Sequence, residues 1–197
     1  VKSCNVTHIA STSFYPAKPL GCYGEGGALF TNDDDLAVKM KAIRTHGGIR
    51  RHYHDLVGMN GRFDTLQAAI MLAKWPGFAA EVEARNRIGA RYSEKLRDVC
   101  ATPAIRDGNT HVYAQYTIRV PDRDTLAEKL KTLGIPTAVY YPKCLHEQPV
   151  FAPLGYKYGD FPEAESASSE VLSLPLNPYR TEEDQDRNIA AVRQALT

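Results

Sequence analysis

Lys18 stands between Pro16 and Pro19, inside the run STSFYPAKPLGCYGEGGALFT at positions 11–31. Each proline fixes its own φ and restricts the residue before it, so the lysine is carried on a stiff turn. An amine placed this way among apolar and aromatic neighbours is a candidate nucleophile, of the kind that condenses with an aldehyde to an imine. Taken alone, a lysine is far more often a solvated surface charge, and its spacing does not decide between the two. Gly24, Gly26 and Gly27 follow closely. They read as turn residues rather than a phosphate cradle, because no strand–GxGxxG–helix context surrounds them. His46, His52 and His54 share one polar stretch, yet no carboxylate or thiolate at ligand spacing completes a site, so no metal is expected. Cys4, Cys22, Cys100 and Cys144 are too scattered for a metal knuckle or a disulfide scaffold. Cys144 has no basic partner nearby and reads as a packing residue.

These groups need elements to hold them. VTHIASTSF, at 6–14, alternates as an extended segment would, and GALFT at 27–31 predicts a short buried strand. Asp33 or Asp34 then caps a helix carrying Leu36, Met40 and Ile43 on one face and ending near Gly47 and Gly48. Positions 46–63, HGGIRRHYHDLVGMNGRF, are polar and glycine-rich and predict a long irregular loop, a common place for function. Asp64 caps a helix over TLQAAIMLAKW, Pro76 interrupts it, and a long amphipathic helix runs from Phe78 to Leu96. The composition shifts at ATPAIRDGNTH, 101–111, which sets the expected division between a first part, 1–100, and a smaller α+β lobe, 101–197. Beyond it the pattern predicts a strand at 114–120, a helix at 122–133 capped by Asp122 and ended by Gly134, and a strand at 135–141. A loop rich in proline, glycine and aromatics follows at 142–162, then a short helix near 163–172, the segment LSLPLNP, and a last helix over 182–196 begun by Thr181 and Asp184.

The whole chain fits a mixed α/β protein. Its 197 residues are 43% apolar and 24% charged, within the range of folded globular chains. Lys and Arg total 24 against 23 Asp and Glu, a net charge of +1, which removes the electrostatic argument for a nucleic-acid or membrane-surface partner. No apolar run approaches the roughly 20 residues that span a bilayer, and a cytoplasmic protein is expected.

The string TSFYPAKPLGCYGEGGALFT resembles the lysine segment of the DegT/DnrJ/EryC1/StrS family, pyridoxal-phosphate-dependent aminotransferases of nucleotide sugars. HGG at 46–48, GMNGRFDTLQAA at 58–69, VYAQYTIR at 112–119, GIPTAVYYPKCLHEQPVF at 134–151 and SLPLNPY at 173–179 continue the resemblance in order. It implies the fold of type I pyridoxal-phosphate transferases, aspartate-aminotransferase-like, with this chain corresponding to the C-terminal section of the large domain and the small lobe after it. It implies pyridoxal 5'-phosphate as cofactor and Lys18 as the residue that joins it and later shuttles a proton. Ser13 matches a serine that bonds the cofactor phosphate. Asn60 matches an asparagine that reaches a partner subunit's cofactor phosphate, and Arg62 an arginine directed at the partner's substrate, so a homodimer is implied. Tyr140, Tyr141 and His146 fall in the segment that faces sugar and nucleotide. Many members carry His-Tyr-Pro where this chain has Tyr140-Tyr141-Pro142, and serine where it has Gly61. The resemblance is nearest to enzymes that aminate C3 of a UDP-2-acetamido-3-keto-glucuronic acid, with glutamate as amino donor, in surface-polysaccharide or amino-sugar synthesis.

In this family the lysine segment lies near the middle of a longer chain, and the upstream half carries the acid that pairs with the pyridine nitrogen. The chain opens at Val1 without a methionine, within what reads as an extended segment. The expectation is a C-terminal portion of such an enzyme. Three readings follow: a sugar aminotransferase, a non-catalytic remnant serving as an oligomeric or binding module, or a dehydratase on the same scaffold. Dehydratase relatives carry histidine in place of the lysine, so Lys18 argues against the third.

Overall fold

The stretch 6–14 forms β1 at Ala10–Ser13, and GALFT forms β2 at Gly27–Phe30, in the computed structural model, which describes residues 1–197. The two strands pair antiparallel, Ala10 opposite Phe30 and Ser13 opposite Gly27. At the closing end a Cβ on Gly27 would stand 2.9 Å from the Thr12 carbonyl oxygen, so the strands meet only where that side chain is missing. β2 is not buried as its apolar run predicts. Leu29 and Phe30 are 57% and 42% exposed, because β1 is the only strand beside it and no further layer of this chain covers the pair.

α1 spans Asp34–Arg44, and the Asp33 side chain accepts from the Leu36 amide at 3.0 Å, the expected cap. Asp34 and Asp35 in its first turn and Lys41 and Arg44 in its last oppose the helix dipole favourably. The stretch to Phe63 is irregular, as predicted. It is pinned by a bridge between Thr45 and Asn60 and by Gly47 at φ +86°, where a Cβ would fall 1.6 Å from the Leu56 carbonyl oxygen. α2, Thr65–Lys74, follows Asp64, whose side chain makes no capping bond. Pro76 sits in a 3₁₀ turn at Trp75–Gly77, which separates α2 from α3, Phe78–Leu96.

The chain gathers into two units, Val1–Ala79 and Ala80–Thr197. α3 belongs almost wholly to the second, because its buried stripe of Ile88, Gly89, Tyr92 and Leu96 packs in that unit's core. The composition shift at 101–111 falls instead on a loop inside the second unit. There, β3 at Tyr116–Arg119 and β4 at Val171–Leu174 pair antiparallel, Tyr116 opposite Leu174 and Arg119 opposite Val171. Between them come α4, Arg123–Thr132, capped by Asp122, and α5, Pro162–Glu170; α6, Glu182–Leu196, follows behind the Thr181–Asp184 capping box. Tyr92 and Tyr116 stack at 4.9 Å in the middle of the core, with Ile118, Leu130, Leu172 and Val192 all but fully buried.

Two expectations change here. The strand predicted at 135–141 reduces to one bridge, Ala138 to Ser173, since Pro136 has no amide to donate and Pro142 closes the other end. The helix predicted to reach 172 stops at Glu170, and VLSL becomes β4, a strand whose last three residues are buried. A short apolar run of this kind reads equally as buried strand or helix end until its partner is known.

Candidate functional site

Lys18 is held by a loop built on the end of β1. The Phe14 amide donates to the Gly26 carbonyl at 2.8 Å and the Cys22 amide to the Phe14 carbonyl at 2.7 Å, which closes residues 14–22 at their base. The buried Cys22 thiol adds contacts to the Phe14 and Gly24 carbonyls at 2.9 and 3.0 Å. Within the loop, the Lys18 amide donates to the Tyr15 carbonyl at 2.8 Å, a turn for which Pro16 is already shaped. The loop doubles back so closely that a Cβ on Gly21 would lie 2.7 Å from both the Tyr15 and Pro16 carbonyl oxygens. α2 braces it from the side: Lys74 Nζ donates to the Gly21 carbonyl at 2.5 Å, and Gln67 Oε1 accepts from the Tyr23 amide at 2.8 Å.

On this support the Lys18 side chain is exposed and its amine has no hydrogen bond or ion pair within the chain. Ser13 Oγ, also exposed, accepts from the Tyr15 amide at 3.1 Å, which leaves its own proton free to donate. A free amine on the braced loop and a free hydroxyl donor at the end of the strand that leads into it fit an aldehyde that carries a phosphate, the donor chemistry pyridoxal phosphate calls for.

Asn60 and Arg62 are brought together on the exposed loop that follows α1. Arg62 Nε donates to Asn60 Oδ1 at 3.2 Å, and the backbone around Asn60 is fixed by Met59 N to Ile43 O at 2.8 Å and Gly61 N to Arg44 O at 2.9 Å. The bond occupies the amide oxygen of Asn60 and leaves its NH₂ to donate. No hydrogen bond joins this pair to Lys18 or Ser13. His54 Nδ1 lies 2.9 Å from the His46 carbonyl, and no group of three or more His, Cys, Asp or Glu side chains converges anywhere in the chain.

In the second unit, Tyr140 and Tyr141 are open to solvent, at 50% and 73%. Tyr140 lines a cleft of about 300 Å³ together with Gln115, Pro136, Pro175 and Asn177. His146 differs from both. Its side chain is 8% exposed, its Nε2 lies 2.9 Å from Glu165 Oε1, and its ring packs against Phe161 at 4.8 Å. Glu165, on α5, escaped the sequence reading. The one available signal was an acid in the first turn of a helix behind a glycine-containing loop, where free amides gather. Burial is the largest influence on its carboxyl and pushes the pKa up, yet the Gly159 and Phe161 amides and His146 together hold it below the usual carboxylate range.

The model of the DegT/DnrJ/EryC1/StrS aminotransferase family matches residues 2–193. The chain is 48% identical over 179 residues to the UDP-2-acetamido-2-deoxy-3-oxo-D-glucuronate aminotransferase of Pseudomonas aeruginosa, covering 90% of this chain and 49% of that protein. It is 50% identical over 180 residues to the pleiotropic regulatory protein of Geobacillus stearothermophilus, covering 89% of this chain and 48% of the relative. Among solved structures, S. venezuelae DesV in complex with ketimine intermediate superposes with a TM-score of 0.92 at 33% identity, over 95% of this chain and 51% of that one. The chain thus spans about half the length of the curated relatives it matches. No helix is long and apolar enough to cross a membrane.

Proposed function

The chain belongs to the DegT/DnrJ/EryC1/StrS aminotransferase family, whose enzymes depend on pyridoxal phosphate, and on that premise we propose that it serves the transamination of a keto-sugar nucleotide. When bound, the cofactor supplies the electron sink that lets an amino group pass between carbon centres. The residues of this chain take the following parts in it. Lys18 Nζ would hold the cofactor at its aldehyde carbon and, once released as the free amine, would carry a proton to and from the reacting carbon. Ser13 Oγ donates to a phosphate oxygen. Asn60 donates from its NH₂ to the phosphate in a second copy of the chain, and Arg62 pairs there with an acidic group of the substrate. Tyr140 and Tyr141 meet the sugar nucleotide.

The substrate in this reading is a UDP-3-keto-N-acetyl-hexuronic acid and the amino donor is glutamate, in the cytoplasm. The name of the relative at 48% identity supports that choice. The observation that carries the reading is the uncommitted Lys18 amine on a loop braced by Cys22, Gln67 and Lys74. A spectrum of the protein with added pyridoxal phosphate, before and after borohydride, tests it. A visible band, with reduction fixing the added mass on Lys18 and loss of both in Lys18→Ala, is the expected result. Modification scattered over surface lysines overturns it.

A second reading is a binding module without turnover, favoured by the regulatory name of the relative at 50% identity. A folded protein that shows no band and no exchange of amino groups with glutamate would select it.

A further inference from the structure

We infer that Glu165 is a positioning residue, whose carboxylate fixes the shape of the segment 139–161 and thereby presents Tyr140 and Tyr141 to the sugar nucleotide. The inference rests on the functional reading above only for what the tyrosines meet.

Four hydrogen bonds converge on this one carboxylate, whose side chain is 4% exposed. The Gly159 amide donates to Oε1 at 2.8 Å and to Oε2 at 2.9 Å, the Phe161 amide donates to Oε1 at 3.3 Å, and His146 Nε2 stands 2.9 Å from Oε1. The segment they gather is otherwise held only by local turns, the 3₁₀ turn at Pro149–Leu154 and a Lys157–Asp160 turn, and residues 149–164 are all exposed. Its aromatic rings follow the same centre: His146 on Phe161 at 4.8 Å, and Tyr156 edge-on to Phe161 at 5.1 Å. Gly159 sits at φ +97°, a conformation that turns its amide inward and that a side chain would strain.

Tyr140 and Tyr141 lie between two fixed points. Ala138 exchanges both backbone bonds with Ser173, at 3.1 and 2.9 Å. Downstream, buried Cys144 begins a 3₁₀ turn in which its amide donates to Glu147 Oε2 at 3.3 Å, and that turn carries His146 to Glu165. With both points held, the tyrosines ride a five-residue span, 139–143. With the Glu165 bonds gone, only the 3₁₀ turns at Leu145–Glu147 and Pro149–Leu154 follow the tyrosines, and no α-helix or strand anchors the chain before α5 at Pro162. A site held in shape before binding loses less freedom when the ligand arrives. The sequence expectation for His146 is refined accordingly: its ring is committed to the carboxylate, and it acts on the sugar through the loop.

The test compares Glu165→Gln and His146→Gln with the unaltered protein, expressed from its complete gene. Two quantities are read: amide hydrogen exchange over 139–161, and the separate steady-state constants for the keto-sugar nucleotide and for glutamate. Glutamine at 165 keeps the volume and loses the charge that three donors share through four bonds. Faster exchange at Gly159 and Phe161, with KM for the sugar nucleotide raised about tenfold and both kcat and the glutamate KM within about threefold, supports the assignment. His146→Gln, which removes one bond of the four, is expected to give a smaller change in the same direction, and it keeps the test alive should Glu165→Gln fail to fold. Unchanged exchange in both variants, or equal losses toward sugar nucleotide and glutamate, overturns it. If the unaltered protein turns over no keto-sugar nucleotide, the functional reading fails while the exchange comparison still decides whether Glu165 fixes the loop.

Discussion

A hydroxyl with one proton to give and a carboxylate with one charge to keep set the two smallest-scale expectations. Ser13 already accepts from the Tyr15 amide, so its proton is the part left for a phosphate. A hydrogen bond to a charged group contributes about 1.5–3 kcal/mol, and every 1.4 kcal/mol is roughly tenfold in affinity. Ser13→Ala is therefore expected to weaken pyridoxal phosphate binding about ten- to a hundredfold, read by absorbance titration, with the Lys18 adduct still forming at saturation. An unchanged affinity would remove Ser13 from the phosphate. Glu170 is held below the ordinary carboxylate range by Arg119, with Ser166 Oγ donating to its Oε1 at 2.8 Å. Its folded pKa is depressed, so the unfolded chain takes up the proton first on acidification. The stabilisation is full above the unfolded value of about 4.3 and disappears as pH falls through the lower folded value. The unfolding temperature should drop across that window, and Glu170→Gln should flatten the drop; an identical slope in the variant would deny the pair that role. The family was legible because several ordered motifs agreed around Lys18. Glu165 was not, since its partners lie 19, 6 and 4 residues away and meet only when the loop closes.

Elements were legible wherever their own residues decide them. Asp33, Asp122 and the Thr181–Asp184 pair begin their helices as read, and Pro76 breaks the run between α2 and α3. They were illegible where a partner decides. β4 exists because β3 lies beside it, and 135–141 falls short of a strand, with Pro136 inside it and Pro142 after it, so that only Ala138 pairs. Gly89 shows the same limit. The helical pattern puts it on the buried stripe of α3, but not that a Cβ there would stand 2.3 and 2.4 Å from the Tyr113 ring. Alanine in mid-helix gains about 1 kcal/mol over glycine, whereas forcing atoms into a packed core costs about 1–3 kcal/mol. Tyr113 has little room to yield, being 2% exposed and packed against Tyr116 at 5.6 Å and His111 at 4.5 Å. Packing therefore wins, and Gly89→Ala should destabilise the protein by up to about 2 kcal/mol in denaturant unfolding. A gain in stability would mean that the ring swings aside and that α3 is not fixed by this contact.

For the molecule as a whole, the decisive question is whether one chain can complete a site by itself. The first unit offers Ser13 at the end of β1 with Lys18 on the loop that follows, and Asn60 and Arg62 on another loop, with no hydrogen bond between the two sets. It also leaves Leu29, Leu66, Leu72 and Trp75 largely exposed, more apolar surface than a lone unit ordinarily keeps. The separation of the two sets supports the proposed homodimer, in which each copy lends Asn60 and Arg62 to the other's Lys18. Geometry makes that arrangement countable. Take two inactive proteins, Lys18→Ala and Arg62→Ala, dissociate them together and let them reassociate. In a mixed dimer one site inherits both substitutions, while the other draws Lys18 from one chain and Arg62 from its partner and is intact. Random pairing makes half the dimers mixed, with one working site of two, so about a quarter of the unaltered activity should return. If Lys18 and Arg62 served the same chain's site, every site would keep one defect, and mixing would restore nothing. The recovered fraction, measured against the ratio of the two proteins, thus distinguishes a shared site from a self-contained one.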